Sequence, residues 1–443
     1  MQGTLLRSKK IRTPFPISNM DNFLKFSDFF NFELTRILSA TAYQGCDIAE
    51  FLDAVNAIKN DDAESWYAAW LKQAEKVQGL ANDALESGHK EFAHGAFLRA
   101  CNYFRACQYM IFDEGRKRAM MKKSVECFEM GIPLMESLVK KVEIPFQKVG
   151  LPAYLYLPAP EKRVKGKTPI MILCNGADST KEELHFLLAA SASGQGYAVL
   201  TVDGPGQGMS LIMDKTNQRP DWEVVVTSIL DFLEGHATKN PELELDIDRI
   251  AIFGATMGGY YALRGASDPR IKACVAVDAF YDMWDLVMDR MPKGFMKLWM
   301  AGWVPDYFID TITKLQGKLI FKMKWEVWCS SSIFGLSRPT DVMRKVREYT
   351  FRLPDGGDYL HQVKCPVLTS GAAHSIYFKP ELSVGKISEC LKNVDEAGKE
   401  VWVAKEPADG GLQAKVGAWS LLQWRTLGFL DKHLGVERVK SSR

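Results

Sequence analysis

The chain has 443 residues and a formal net charge of +2, with 56 basic and 54 acidic residues scattered along it. This balance does not indicate a nucleic-acid-binding surface, and the length allows one large domain with an accessory segment. Nine cysteines lie far apart without metal-ligand spacing, which is typical of reduced core residues in an intracellular protein. The basic segment Met1–Arg12 is not followed by an apolar run, and no stretch is apolar for long enough to span a bilayer. We therefore expect a cytoplasmic protein without a signal peptide.

Residues 20–140 have the pattern of consecutive helices. Apolar side chains recur at helical spacing in three segments, 47–55, 63–71 and 94–110, and Pro and Gly are almost absent. We predict five or six helices, which form a helical cap domain over residues 1–140. Its aromatic residues are expected in the core rather than in a substrate-binding wall; they are Trp66, Tyr67, Trp70, Tyr103, Phe104 and Tyr109.

The periodicity changes near residue 141. Two segments that alternate as antiparallel strands do are followed by strands that take turns with helices, which predicts a mostly parallel sheet covered on both faces. The predicted strands lie at 142–146, 153–158, 170–174, 197–202, 250–253, 273–277, 367–370 and 401–404. A final helix is predicted from about Leu412 to His433. The interval 285–350 interrupts this order and is rich in Met, Trp and Phe, so within the core domain 141–443 we interpret it as an aromatic lid insertion.

One segment has the pattern of a nucleophile elbow. A short apolar run, Ile250-Ala-Ile-Phe253, precedes Gly254-Ala-Thr256-Met-Gly258, and a helix follows. Small residues two positions before and after a hydroxyl residue let the chain turn sharply from strand to helix, so that the side chain projects at the edge of the sheet. The segment predicts that Thr256 lies at this turn and Phe253 is buried. A strand–Gly–helix turn without chemistry would give the same pattern.

A nucleophile or hydroxyl donor at an elbow also needs groups that stabilise negative charge on oxygen. The backbone N–H of Met257 is the first candidate, and the loop Gly176-Ala177 after the first parallel strand offers the second. Asp203 begins the glycine-rich loop after the next strand, where it is either a buried acid or a residue that holds the turn.

Five segments together resemble one group of α/β hydrolases, and none is specific alone. They are Asn175-Gly-Ala-Asp-Ser-Thr-Lys-Glu-Glu, Asp203-Gly-Pro-Gly-Gln-Gly, Pro220-Asp-Trp-Glu, the elbow, and Ala276-Val-Asp-Ala-Phe-Tyr-Asp-Met-Trp-Asp285. The group contains dihydropseudooxynicotine hydrolase and fungal polyketide hydrolases of the yellowish-green, fusarin-cluster and cytochalasan-cluster types. The resemblance extends over most of the chain from about Asn22. It implies an α/β-hydrolase fold with an N-terminal helical cap, no metal, no cofactor, and cleavage of C–C or ester bonds in ketone-rich substrates. Some fungal relatives are tied to ring closure of polyketide–amino-acid hybrids.

The chain departs from this group at all three catalytic positions. The group has Ser at the elbow, where this chain has Thr256. It has an acid after the penultimate strand, where this chain has His374, and a His after the last strand, where the loop here reads Glu406-Pro-Ala-Asp409-Gly-Gly411.

Three accounts fit these departures. In the first, His374 serves Thr256 as base, Asp409 orients His374, and the enzyme hydrolyses a C–C or ester bond through Thr256. In the second, which we favour, covalent chemistry is lost: His374 is a general acid or base, Thr256 donates a hydrogen bond, and the reaction is an aldol or Knoevenagel-type closure or a dehydration. In the third, the protein is an inactive small-molecule binder. The expected partner is an apolar, polyketide-derived small molecule, with neither nucleic acid nor membrane, and a homodimer is compatible with the sequence.

Overall fold

The computed structural model describes residues 24–438. The basic segment Met1–Arg12, for which no signal peptide is predicted, lies outside the described residues. Among the helices of residues 24–438, none combines the length and the apolar character that crossing a bilayer requires.

The N-terminal part of the described chain consists of helices, as predicted. These are α1 (Asp28–Ser39), α2 (Ile48–Ala57), α3 (Ala63–Glu86), α4 (Lys90–Tyr109) and α5 (Glu114–Gly131). Three of them start after an aspartate whose carboxylate accepts a backbone N–H of the first turn, which satisfies donors that have no partner inside the helix. Helix α3 buries one side, with Trp66, Trp70, Ala74, Val77 and Ala81 at intervals of three or four residues.

The prediction that the aromatic residues of this region belong to the core is confirmed for five of the six. Trp66, Trp70, Tyr103, Phe104 and Tyr109 are buried, and Tyr67 is half-buried.

An eight-stranded sheet follows in the order β1-β2-β4-β3-β5-β6-β7-β8. Its strands are β1 (Leu138–Phe146), β2 (Val149–Leu157), β3 (Thr168–Cys174), β4 (Ala198–Val202), β5 (Leu245–Ala255), β6 (Ile271–Val277), β7 (Val367–Ala372) and β8 (Lys399–Ala404). The pairs β1–β2 and β2–β4 are antiparallel, and all the others are parallel. Each predicted strand overlaps one of these. Strand β5 lies between β3 and β6, so Ile250 to Phe253 are covered on both sides and fully buried.

Helices cover both faces of the sheet. They are α6 (Ala190–Gly194), α7 (Gly208–Asp214), α8 (Glu223–Lys239), α9 (Met257–Gly265), α15 (Val384–Cys390) and α16 (Trp419–Leu434). A π-helical turn, His185–Ala189, precedes α6 and continues into it.

The interval between β6 and β7 forms five further helices. They are α10 (Met283–Arg290), α11 (Lys293–Met300), α12 (Asp306–Leu319), α13 (Phe321–Phe334) and α14 (Pro339–Val346). Aromatic contacts dock the start of α13 against the N-terminal helices, since Phe321 packs on Phe29, Phe30 and Phe112. Helices from two distant parts of the sequence therefore lie together at the carboxyl ends of the parallel strands.

The predicted start of the final helix at Leu412 is wrong. Helix α16 begins at Trp419, and residues 412–418 form a loop in which Ala414 and Lys415 have left-handed backbone conformations (φ 53° and 55°) and Gly417 has φ 83°. The contacts of Gln413 and Lys415 with the strand ends, described below, hold the chain in this loop.

Candidate active site

Thr256 lies at the sharp turn between β5 and α9, where the sequence predicts an elbow. Its backbone is strained for a β-branched residue, with φ 55° and ψ −111°, and its N–H donates to the Val277 carbonyl at 2.8 Å. A Cβ at Gly254 would overlap the Gly258 carbonyl, and a Cβ at Gly258 would overlap the Cys174 carbonyl. Both glycines are therefore required for the turn that presents Thr256.

The side chain in contact with the Thr256 hydroxyl is an amide. Gln413, in the loop after β8, donates through Nε2 to Thr256 Oγ1 at 3.0 Å and to the Asp278 carbonyl at 3.1 Å. A backbone carbonyl only accepts hydrogen bonds, so the amide nitrogen must face Asp278, and it is the same nitrogen that reaches Thr256. Thr256 Oγ1 therefore accepts this bond, which leaves its own proton free to point elsewhere. A glutamine amide takes no proton from a hydroxyl at neutral pH, so Gln413 is not a general base.

Behind Gln413 lies a buried ion pair. Lys415 Nζ contacts Asp278 Oδ1 at 2.8 Å and donates to the Gly371 carbonyl at 3.0 Å, and both ionic side chains are almost fully buried. Asp278 Oδ1 also accepts from the Ser370 hydroxyl at 2.8 Å. Burial lowers the pKa of Lys415, and Asp278 opposes this effect. The pair fixes the loop that carries Gln413 to the ends of β6 and β7.

The loop after β3 also lies beside the elbow. Gln207 donates to the carbonyls of Asn175 and Gly176 at 2.9 and 3.0 Å, which holds this loop beside the elbow. Helix α9 begins at Met257, and N–H groups in the first turn of a helix have no intrahelical acceptor. Gly176, Ala177, Thr256 and Met257 line one cavity.

Asp203 lies behind that loop, where it is fully buried. It accepts hydrogen bonds from Asn175 Nδ2 and the Lys181 N–H at 2.8 Å each, from the Met209 N–H at 3.0 Å and from Lys181 Nζ at 3.2 Å. Burial raises its pKa, and Lys181 opposes the shift. Asp203 is not among the described residues that line the cavity, and these contacts are those of a residue that holds the turn.

The cavity has a volume of about 570 Å³, and Thr256 is one of the residues that line it. Its wall is mostly apolar and comes from α1, the helical insertion, the elbow and the loop after β8; Met283, Leu286, Val287, Met323, Trp325, Ile333, Val342 and Trp419 are among its residues. The size and composition match those of sites for small organic ligands. Residues of the 285–350 interval and of α1 thus line one mostly apolar cavity together with Thr256.

A cluster of charged residues joins α1 and α4 to the loop after β3. We call it the Arg36 cluster; it consists of Glu33, Arg36, Arg105, Tyr109, Asp178 and Glu183. Arg36 contacts Asp178 at 2.9 Å and Glu183 at 2.6 Å, and Arg105 contacts Glu183 at 3.4 Å. Burial would raise the pKa of Glu183, but Arg105 and Arg36 outweigh it and lower this pKa to about 2.

In the same cluster, burial raises the pKa of Glu33 to about 7 although Arg36 opposes the shift. Three carboxyl groups face two guanidinium groups here, and Glu33 is the carboxyl group whose pKa is raised.

Lys322, on α13, is the lysine among the described residues that line the cavity. Its Nζ donates to the Ile376 carbonyl at 2.9 Å and lies 5.0 Å from the centre of the Tyr377 ring. Burial lowers the pKa of Lys322 to about 8 against the opposing charge of Glu326, whose nearest carboxylate oxygen is 4.0 Å away.

His374 and Asp409 are not among the described residues that line the cavity. The N–H of His374 donates to the Gly411 carbonyl at 2.8 Å, and Asp409 is exposed. The structure thus brings Thr256, Met257, Gly176 and Ala177 together and places His374 and Asp409 elsewhere. The catalytic roles of His374 and Asp409 stay predictions.

Comparison with known proteins agrees with this architecture. A sequence model described as "Alpha/beta hydrolase family" matches residues 171–376. "Hydrolyase poxO" of Penicillium oxalicum is 46% identical over 425 residues, which cover 95% of this chain and all of that protein. The chain belongs to the alpha/beta hydrolase family. This alpha/beta hydrolase is also 45% identical to "Alpha/beta hydrolase xenA" of Xenoacremonium sinensis, over 93% of this chain and 98% of that protein.

Two solved structures share the fold of this alpha/beta hydrolase. The 2,6-dihydroxy-pseudo-oxynicotine hydrolase has a TM-score of 0.67 at 20% identity and covers 92% of this chain and 99% of its own. AbyA5 has a TM-score of 0.60 at 16% identity and covers 93% of this chain and 96% of its own. The predicted α/β-hydrolase fold with an N-terminal helical region is therefore confirmed.

The sequence reasoning did not identify Gln413, Lys415, Asp278 or Lys322. The sequence contains two signals for Gln413 and Lys415. Both residues follow the last strand, where the similar hydrolases have their His, and glycines flank them at Gly410, Gly411 and Gly417. Asp278 directly follows β6 within a quoted segment but was given no role. Nothing in the local sequence separates Lys322 from its solvent-facing neighbours.

Proposed function

We propose that this enzyme acts on a polyketide-derived small molecule of fungal-type secondary metabolism by acid–base chemistry without hydrolysis. The reactions proposed are intramolecular aldol or Knoevenagel-type condensation, cyclisation and dehydration. One observation carries this choice: the side chain against Thr256 Oγ1 is a hydrogen-bond donor, Gln413, at 3.0 Å. A serine-type nucleophile needs a base in that place to remove its proton.

The elbow is well suited to polarise a carbonyl group. Because Thr256 Oγ1 accepts from Gln413, its hydroxyl proton can be donated to a substrate oxygen in the cavity. The N–H groups of Met257 and Ala177 are the further donors of the proposal. Donors fixed before reaction stabilise negative charge on oxygen, as an enolate requires.

The proposed condensation loses one water. A carbon between two carbonyl groups gives up a proton, and the resulting enolate carbon forms a bond to a second carbonyl carbon in the same molecule. The alkoxide produced takes a proton, and elimination of water with a second proton from the same carbon leaves a double bond. His374, with Asp409, stays the predicted base for the carbon proton, and the hydrogen-bond donation by Thr256 does not depend on either residue.

The cavity and the relatives support this proposal. The mostly apolar wall of the cavity suits an apolar polyketide-derived chain better than a peptide or a charged metabolite. The relative poxO is called a hydrolyase, a word for enzymes that remove or add water across a bond, and it matches over almost the full length of this chain.

The alternative is hydrolysis of a C–C or ester bond with Thr256 as nucleophile. The strained elbow at φ 55°, with a glycine two residues before and after Thr256, is the observation that favours it. The third candidate is an inactive binder that uses the same cavity.

A test substrate separates the three candidates by mass. A linear β-keto amide that carries an aldehyde should lose one water with the wild-type enzyme and close a ring. Hydrolysis would instead give two fragments whose masses sum to that of the substrate plus one water, and a binder would leave the mass unchanged. Either of these outcomes would contradict the proposal.

A fluorophosphonate probe gives a second test that does not depend on the substrate. We expect no labelling of wild-type Thr256. The matched control is Thr256→Ser combined with Gln413→His, which places a hydroxymethyl nucleophile beside a base, and labelling of this variant would show that the probe enters the cavity. Stoichiometric labelling of wild-type Thr256 would establish the covalent route.

A further inference from the structure

The cavity has a second reactive group on the wall that the helical insertion supplies. Lys322 lines the cavity from the first turn of α13, and its side chain keeps 26% of its surface exposed. Aromatic contacts of the preceding residue, Phe321, with α1 fix this end of the helix. The amine is therefore positioned by packing on a rigid element.

We propose that Lys322 is a nucleophilic amine that captures an aldehyde or ketone carbon of the substrate as an imine. The proposal rests on the proposed function, since an imine activates the carbon next to it for condensation. It adds to that function a covalent site and a substrate class: a carbonyl compound whose second carbonyl group reaches the elbow.

The contacts of Lys322 leave its amine available. The Nζ donates one hydrogen bond to the Ile376 carbonyl at 2.9 Å, a bond that a neutral amine also makes. The nearest carboxylate oxygen, on Glu326, is 4.0 Å away and also accepts from Arg290 at 3.2 Å. By contrast, the buried Lys415 and Lys181 contact carboxylates at 2.8 and 2.6 Å. A close carboxylate stabilises the charged form of each of these two lysines.

The charges around Lys322 leave part of its amine neutral near neutral pH. Burial lowers its pKa to about 8, Arg290 of α10 acts in the same direction, and Glu326, with Asp28 and Glu33 of α1, opposes it. Removal of a lysine from water in an apolar pocket is one way in which proteins activate amines for imine formation.

The step balances with water alone. The nitrogen lone pair attacks the carbonyl carbon, the C–N bond forms, and the C–O bond breaks as the oxygen leaves in water with both amine hydrogens. The imine then takes a proton from solvent, the adjacent carbon loses one, and the resulting enamine carbon attacks the second carbonyl. Addition of water to the product imine returns the amine.

Acetylacetone tests the amine directly. A 1,3-diketone condenses with a neutral primary amine, with loss of one water, to a conjugated enaminone that absorbs at longer wavelength than the free diketone. In the full-length wild-type protein at pH 8, peptide mapping should place the adduct on Lys322. Its rate should exceed that at exposed lysines by at least about tenfold, because an amine with an ordinary pKa of about 10.4 is almost entirely protonated at this pH.

Two variants and a matched control complete the test. Lys322→Met and Lys322→Arg should lose the adduct, the second while keeping the charge. Lys324→Met, which removes an exposed lysine of the same helix outside the cavity, should retain it. Adducts spread evenly over surface lysines of the wild type would overturn the proposal even if a variant failed to fold.

The two proposals fail separately. An adduct on Lys322 in an enzyme that hydrolyses the test substrate into two fragments would sustain the amine site and contradict the proposed function. Loss of water from the test substrate by Lys322→Met at the wild-type rate would refute the role of Lys322 and leave the proposed function intact.

Discussion

The cavity lies between two regions that each hold one lysine, one fully buried and one half-buried, and that give it different partners. On the side of the sheet, Lys415 has Asp278 at 2.8 Å and serves to hold the loop of Gln413 against the strand ends. On the side of the helical insertion, Lys322 has a backbone carbonyl at 2.9 Å and its nearest carboxylate oxygen at 4.0 Å. Burial lowers the pKa of both amines, so the difference lies in the partner. Lys415 has a structural role because a carboxylate contacts its amine. Among the described residues, no carboxylate oxygen lies closer than 4.0 Å to the amine of Lys322, so this amine is the one that we propose to react.

The largest expected effect comes from breaking the matched pair. Lys415→Met leaves the buried carboxyl group of Asp278 without its cation, so the free energy of unfolding should fall by about 3–5 kcal/mol. Urea denaturation followed by tryptophan fluorescence measures this loss. Adding Asp278→Asn to the same chain should restore part of it, because the uncompensated charge is then removed.

Lys322→Met is the control for that comparison. It removes an amine without a close carboxylate, so the free energy of unfolding should change by no more than about 1 kcal/mol. Equal losses for the two lysines would mean that the contrast between the two regions has no energetic basis.

The Arg36 cluster predicts a pH dependence of intermediate size. The pKa of Glu33 is about 7 in the folded protein against 4.5 as its ordinary value, so the folded state binds the proton more tightly. The resulting stabilisation is complete below about pH 4.5 and is lost as the pH rises to 7. Its full size is on the order of 3 kcal/mol.

Glu33→Gln provides the matched measurement, since the amide is neutral at every pH. The difference in unfolding free energy between the wild type and Glu33→Gln should shift against the wild type between pH 5 and 8. A constant difference over this range would show that Glu33 is ionised throughout.

The smallest expected effect concerns the elbow. At φ 55°, Thr256 carries a branched Cβ in a region that such residues avoid, so Thr256→Ser should stabilise the fold by about 0.5–1 kcal/mol. Thermal unfolding of the two proteins under one set of conditions measures this gain. A lower midpoint for Thr256→Ser would mean that the methyl group packs more favourably than the strain costs.

Elements that depend on local sequence patterns could be predicted from the sequence. Features that depend on contacts between residues distant in sequence could not. The elbow was found because its glycines are needed wherever a strand turns sharply into a helix, and all eight strands were found because apolar runs between turns determine them. The loop of Gln413 was missed because its left-handed residues, Ala414 and Lys415, depend on contacts with Asp278 and Gly371 that are distant in sequence. Lys322 was missed because helical periodicity does not show that the N-terminal helices cover this lysine.

The Arg36 cluster also determines which part of the molecule can open. Arg36, on α1, contacts Asp178 and Glu183 of the loop that borders the elbow, so lifting the N-terminal helices would separate several buried charges at once. Separating buried ion pairs costs several kcal/mol. We therefore expect the N-terminal helices to stay in place when a ligand enters. At the insertion, the cavity-lining residues Arg290 and Ile320 are exposed to solvent. These two residues place an opening of the cavity beside α10 and the α12–α13 turn, and Lys322 lines the cavity two residues beyond Ile320.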